Sequence, residues 1–139
     1  MDFIQITTDH FAELKKLHSA YKSAIGEEPP TDAQFDCLYR AIKNGTIGFF
    51  GCIEDNRLVA CCSISCTFST FNYDRGGVFE DFYIMPQYRH KGIARELLRY
   101  SIAQSNVSSL TVGCADCDIE IYKAIGFSIP LGNLLAFDC

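Results

Sequence analysis

Between Val78 and Gln104 a strand, a short basic loop and an amphipathic helix follow one another without a gap, and this succession constrains the chain more than any other feature. Val78 to Met85 is rich in aromatic and β-branched residues, and Pro86 stops it. From Gly92 onward Ile93, Ala94, Leu97, Leu98 and Ile102 fall on one helical face, while Arg95, Arg99 and Gln104 project elsewhere. A helix N-terminus leaves about four amide N–H groups unpaired at the positive end of the dipole, so a helix entered through a tight loop cradles a phosphate or pyrophosphate. Gly92 lets the backbone approach such an anion closely, and Ala94 keeps the next position but one small. Four of the twelve Lys and Arg residues (Arg89, Lys91, Arg95 and Arg99) stand within eleven positions of a chain whose net charge is −5. The chain has no G-x-x-x-x-G-K-[ST] loop and no G-x-G-x-x-G after a strand, which argues against ATP and NAD.

The rest of the chain supplies elements of both kinds. FIQITT near the N-terminus reads as a strand, and Thr8-Asp9 as the cap of a helix with Phe11, Leu14, Leu17, His18 and Tyr21 on its apolar face. His18 belongs to that stripe and is left out of the site. After the breaker Gly26–Pro30, Thr31 and Gln34 have capping-box spacing, and Phe35, Leu38, Tyr39 and Ile42 continue a second helix to Asn44-Gly45. Strands near 46–53 and 58–68, joined by the turn Glu54–Arg57, predict an antiparallel hairpin. Residues 69–76 are polar and turn-like. Ser109–Cys114 reads as a buried strand, Asp116–Ala124 as a short helix ended by Gly126, and Leu134–Phe137 as a last strand. The strand, helix, strand order from 78 to 114 allows a parallel crossover beside the hairpin, so the fold class is α/β with a mixed sheet.

Composition narrows the function. A chain of 139 residues suits one domain, 1–139, with 48% hydrophobic and 13% aromatic residues to build its core. No apolar run approaches the roughly 20 residues of a membrane span, and the N-terminus lacks the layout of a signal peptide, so a cytoplasmic protein is expected. The acidic balance argues against nucleic acid as a partner and suits an amine-bearing one. The eight cysteines are expected as reduced thiols, with Cys61, Cys62 and Cys66 acting as small hydrophobes in an apolar stretch. Cys114-Ala-Asp-Cys117 has no second cysteine pair at matching spacing, so no metal is expected.

Arg89-x-x-Gly92-x-Ala94 resembles the Q/R-x-x-G-x-G/A pyrophosphate loop of the GNAT N-acetyltransferases. Its context strengthens the likeness: an apolar strand carrying Glu80-Asp81 before it, Pro86 at the strand end, and Tyr122-Lys-x-x-Gly-Phe127 about thirty residues downstream. The resemblance implies one domain with a mixed, mostly antiparallel sheet of about six strands flanked by helices. It implies acetyl-CoA as co-substrate, a small-molecule primary amine as acceptor, and a homodimer as the arrangement common in similar folds. The wording Glu80-Asp-Phe-Tyr-Ile-Met85 is further similar to the diamine and polyamine acetyltransferases of that superfamily. A non-catalytic acyl-CoA-binding regulatory domain and a protein N-terminal or lysine acetyltransferase are the alternatives.

Residue by residue, the resemblance assigns Arg89, His90, Lys91, Gly92, Ile93 and Ala94 to the coenzyme A pyrophosphate, and Tyr83, Ile84 and Met85 to the pantetheine arm. Tyr122 matches the tyrosine that protonates the departing thiolate, and Glu80 the carboxylate that serves as base through water. An amide N–H near Ile84 is implied to meet the oxyanion. Strand alternation would send Glu80 and Asp81 to opposite faces, leaving Asp81 to structure or substrate orientation. Ala115 and Asp118, seven and four residues before Tyr122, depart from the Asn and Ala often found there. Only twelve residues follow Phe127, fewer than the usual strand pair, which implies an open pocket or one completed by a second subunit.

Overall fold

Leu58 to Ile64 is buried without a break, each residue 4% exposed or less, the pattern of a strand covered on both faces. It forms the heart of β3 (Arg57–Ser69), the middle strand of five. In the computed structural model, which describes residues 1–139, the sheet order is β1 (Asp2–Ile6), β2 (Gly48–Glu54), β3, β4 (Asp74–Ile84) and β5 (Ser109–Val112). The first three pairings are antiparallel, and β4 with β5 is parallel. Asp55 and Asn56 turn the β2–β3 hairpin with φ of 51° and 60°, a left-handed pair that these two residue types tolerate.

Helices close both faces. On one side α1 (Phe11–Ala24) brings Leu14 and Leu17 against Ile6, Phe49, Leu58 and Cys61. On the other, α3 (Ile93–Ser105) brings Ile93, Leu97 and Leu98 against Phe50, Val59, Cys62, Ile64 and Phe79. Each such aliphatic side chain contributes about 1.5–3 kcal/mol by leaving water. Cys61 and Cys62 therefore serve the two cores in turn, as small hydrophobes. Cys66 does not: it is exposed, and Arg75 donates to its sulfur at 3.0 Å. The helix α2 (Asp32–Lys43) buries Phe35, whose ring meets Phe11 edge-on at 6.2 Å.

Caps set the helix starts. The Thr31–Gln34 capping box forms as its spacing predicts, with Thr31 Oγ1 accepting from the Gln34 amide at 3.2 Å and Gln34 Oε1 accepting from the Thr31 amide at 2.9 Å. At the N-terminus the cap is Thr7, one residue before the expected pair, and it opens a 3-10 turn at Thr8–His10 ahead of α1. The last helix, α4 (Ile119–Ile125), begins after a short 3-10 turn, Asp116–Asp118, and stops at Gly126. No helix is long and apolar enough to cross a membrane.

The sheet has five strands where about six were expected. Leu134–Phe137 is not a strand. A strand needs a neighbour to accept its ladder, and residues 128–139 make no backbone–backbone hydrogen bond.

Candidate active site

The site begins at a fault in the β3–β4 ladder. Cys61 pairs with Tyr83 and Ser63 with Glu80, so Cys62 alone stands opposite both Asp81 and Phe82. Asp81 absorbs the extra residue by taking φ of 55°, a conformation aspartate tolerates better than most side chains. Its carboxylate is fixed by the hydroxyl of fully buried Ser63, which donates to Oδ2 at 2.6 Å.

The bulge corrects the expected alternation. Phe79 packs in the α3-side core, and Phe82 packs against it at 5.5 Å between ring centroids. Glu80, paired with Ser63, must point to the opposite face, and the carboxylate of Asp81 reaches Ser63 on that same face. Both carboxylates thus lie on the α1 side, because an inserted residue breaks the period of two. Asp81 is half-buried; Glu80 is exposed.

Just there the sheet opens. Pairing of β4 with β5 ends at Phe79 and Val112, although β4 runs on to Ile84. The Met85 amide donates to Val59 O at 3.0 Å, so by alternation the amide of Ile84 faces away from β3 and into the gap. The Ile84 carbonyl, on that side too, accepts from Arg89 Nε at 3.0 Å. A slot with free backbone donors therefore lies between the end of β4 and the segment after β5.

The slot leads to the loop before α3. His90 and Gly92 take φ of 61° and 81°, and no side chain caps the helix at Gly92. The first intrahelical bond of α3 runs from the Glu96 amide to Gly92 O at 3.4 Å, leaving the amides of Ile93, Ala94 and Arg95 aimed outward. The Ile93 side chain is core, 2% exposed, so its amide alone serves the loop. The four clustered cations divide. Arg89 lies over the Tyr83 ring at 5.8 Å and Lys91 over Tyr88 at 5.1 Å. Arg95 donates to Ala124 O and Arg99 pairs with Glu96, each at 3.0 Å. Lys91 and His90 are exposed at the mouth of the loop.

Across the slot stands Tyr122 of α4, its ring against Phe82 at 6.3 Å and Phe127 at 5.9 Å. Burial pushes its pKa above 10, with the charges of Asp118 and Cys114 adding to the effect. The phenol stays protonated through neutral pH.

A family model described as an acetyltransferase (GNAT) domain matches residues 45–129, more than half of the chain. The chain belongs to the GNAT acetyltransferases. No curated protein matches the sequence. Solved structures share the fold: a probable acetyltransferase superposes with a TM-score of 0.82 at 19% identity, over 99% of each chain. An aminoglycoside acetyltransferase from an uncultured soil metagenomic sample, in complex with sisomicin, gives 0.84 at 8% identity, over 99% of this chain and 95% of the other. A predicted acetyltransferase with acetyl-CoA from Clostridium acetobutylicum gives 0.80 at 18%, again over 99% and 95%.

In this acetyltransferase the slot has two neighbours that the sequence does not single out, His18 and Tyr21 of α1. Their rings lie 5.7 Å apart, and Tyr21 is 5.8 Å from Tyr83. Burial, then the charge of Asp81, pushes the Tyr21 pKa up to about 12, and Tyr122 contributes too. His18 is 7% exposed, and its Nδ1 has no hydrogen-bond partner. Burial lowers its pKa against the opposing pull of Asp81, so the imidazole is neutral at pH 7. Their apolar-stripe positions concealed both residues; the packing of α1 on the sheet, His18 against Phe49 and Tyr21 against Tyr83, brings them to the site. Cys114 and Cys117 are exposed and free, and no group of three or more His, Cys, Asp or Glu side chains is arranged to hold a metal ion.

Proposed function

We propose that this GNAT acetyltransferase transfers the acetyl group of acetyl-CoA to a primary amine of a small molecule by direct attack on the thioester. The observation that carries this reading is the meeting of three features at one point: the parting of β4 from β5, two carboxylates on one face beside it, and a protonated tyrosine across it. The amides of Ile93 and Ala94, with the backbone of Arg89 to Gly92, hold the pyrophosphate, His90 stands exposed at its mouth, and Lys91 lends it positive charge. Tyr83, Ile84 and Met85 line the pantetheine arm, with the inward Ile84 amide as its backbone donor.

In the reaction, Glu80 takes a proton from the incoming ammonium through water, and Asp81, held by Ser63, orients the amine. The neutral nitrogen attacks the thioester carbonyl, and the Ile84 amide meets the oxygen as it gains charge. The C–S bond then breaks, the leaving sulfur takes the phenolic proton of Tyr122, and solvent restores that proton. Glu80 passes its first proton to solvent, and the remaining proton on nitrogen then leaves by the same water to the freed carboxylate.

Two things favour an amine-rich acceptor. Glu80 and Asp81 together present negative charge to whatever enters from the α1 side. The Glu80–Met85 wording is similar to that of diamine and polyamine acetyltransferases, and one structural neighbour is an aminoglycoside acetyltransferase solved with sisomicin.

Calorimetric titration of acetyl-CoA into the wild type and into Gly92→Glu tests the coenzyme site. Micromolar binding abolished by the variant supports the reading, and an absence of binding to the wild type ends it. With binding in hand, thiol release in the presence of diamines, polyamines and aminoglycosides identifies the acceptor.

A further inference from the structure

Two exposed thiols, Cys114 and Cys117, make a Cys-x-x-Cys pair that neither the cores nor the proposed reaction uses. They belong to no group of three or more metal-binding side chains, so the chemistry open to them is that of the thiol itself. Their place in the fold is particular. Pairing of β5 with β4 stops at Val112 and Phe79, and Cys114 follows two residues later, on the segment that forms the far wall of the slot.

Leu110 and Val112 pack on the α3 side of the sheet with Phe82, Ile84 and Tyr122. An extended chain repeats its face every second residue, so Cys114 comes next on that side. The backbone is still extended at Ala115, with ψ of 154°, before the Asp118 amide closes a turn on Ala115 O at 2.9 Å. Cys114 is near enough to the Tyr122 phenol that its charge, after burial and Asp118, helps to raise that group's pKa. Tyr122 is the residue assigned to the coenzyme sulfur. A coenzyme seated in the slot therefore brings its sulfur to the neighbourhood of Cys114, with Cys117 three residues further on.

We infer that Cys114 is a modification site for coenzyme A itself: the disulfide of coenzyme A, seated in the slot, forms a mixed disulfide with Cys114, which Cys117 resolves. The inference rests on the coenzyme site proposed above. The Cys114 thiol gives its proton to solvent, and the thiolate attacks the seated coenzyme sulfur. The S–S bond of the coenzyme disulfide breaks, and the other coenzyme A leaves as a thiolate that takes up a proton. Cys117, losing its proton in turn, attacks the Cys114 sulfur and expels the second coenzyme A as a thiol. Two protein thiols are oxidised, and one coenzyme disulfide is reduced to two thiols. Selectivity comes from the seat, since the loop before α3 and the end of β4 hold the coenzyme while its sulfur meets Cys114. The mixed disulfide fills the slot, so acetyl-CoA cannot enter and acetyl transfer stops while it lasts. Cys52, Cys61 and Cys62 are buried out of reach, whereas Cys37, Cys66 and Cys139 are exposed and serve as internal controls.

Intact-mass spectrometry without reductant, followed by peptide mapping, tests it on protein incubated with micromolar coenzyme A disulfide. Cys117→Ser should gain one coenzyme A, on Cys114, about 10²-fold faster than it gains glutathione from oxidised glutathione, because seating replaces a micromolar concentration by an effective one near millimolar. Excess acetyl-CoA should suppress the reaction, and Gly92→Glu in the same background should remove the advantage. The wild type should pass on to a Cys114–Cys117 disulfide, its mass lower by two hydrogens, and Cys114→Ser should carry no adduct at that position. Labelling by oxidised glutathione at an equal rate would overturn the inference, as would equal labelling of Cys37, Cys66 or Cys139. So would a wild type that keeps the adduct as long as Cys117→Ser does. If acetyl-CoA binds in calorimetry and Cys117→Ser still takes up no coenzyme, this inference alone fails; if acetyl-CoA does not bind, the proposed function falls with it.

Discussion

Ser63 Oγ donates to the Asp81 carboxylate at 2.6 Å across the point where β3 and β4 lose register. The bond holds a left-handed aspartate in the middle of a strand, turns two successive carboxylates to one face, and coincides with the parting of β4 from β5. Ser63→Ala removes the donor and leaves a half-buried charge unpaired. A hydrogen bond to a charged group is worth about 1.5–3 kcal/mol, so urea unfolding should register a loss of about 2 kcal/mol. The Michaelis constant for the amine should rise as Asp81 loosens. Unchanged stability together with an unchanged constant would show that the bulge holds itself.

Tyr122→Phe keeps the ring packing on Phe82 and Phe127 and removes only the hydroxyl. General-acid catalysis is worth roughly 10²- to 10⁴-fold, so kcat should fall within that range while acetyl-CoA affinity stays within about twofold of wild type. A variant with full kcat would reduce Tyr122 to a core cover.

Glu80 and Asp81 should separate by kinetics. Glu80→Gln is expected to lower kcat about 10²-fold. Asp81→Asn should act chiefly on the amine's Michaelis constant. If Glu80→Gln keeps full kcat, the base lies elsewhere, with Asp81 next in line.

Gly92 has nothing within 4 Å of a Cβ position, so space is no obstacle there; its φ of 81° is the constraint. Gly92→Ala should therefore cost about 1–2 kcal/mol of stability and weaken acetyl-CoA by a similar factor as the loop tightens. Calorimetry and thermal melts on the same samples would check both. Wild-type values in each would dissociate the loop's conformation from binding.

His18 ties stability to acid. Its folded pKa lies below the ordinary 6.5, first because of burial and then because of Lys22, with Asp81 and Glu27 pulling the other way. Below pH 6.5 the unfolded chain takes up a proton that the folded one refuses. Stability is therefore full above pH 6.5 and declines as pH falls, by at most about 1.4 kcal/mol per pH unit for one proton. His18→Leu should flatten that decline between pH 6.5 and 5.5 in denaturant titrations. An equal slope in the variant would assign the decline to other groups.

Much was legible in the sequence because it is local. The Thr31–Gln34 box, the stop at Pro86, the positive φ at Gly92 and the apolar stripe of α3 each follow from residue type and spacing within a few positions. The loop that points to acetyl-CoA is of this kind, as is the tyrosine four residues before Gly126. The strand expected near 58–68 likewise appears, as β3. The sheet class followed from the order of these elements.

What the tertiary structure alone decided are matters of partnership. Strand character in Leu134–Phe137 came to nothing because no neighbouring edge takes up its backbone groups. Glu80 and Asp81 share a face because β4 carries one residue more than β3 opposite it, a mismatch visible only when the two strands are set side by side. His18 and Tyr21, ordinary members of an apolar stripe by spacing, became neighbours of Asp81 through a packing of α1 on the sheet that no local pattern encodes. Sequence fixes which groups a segment offers; which of them meet depends on contacts between residues far apart along the chain, and those exist only once the sheet has formed.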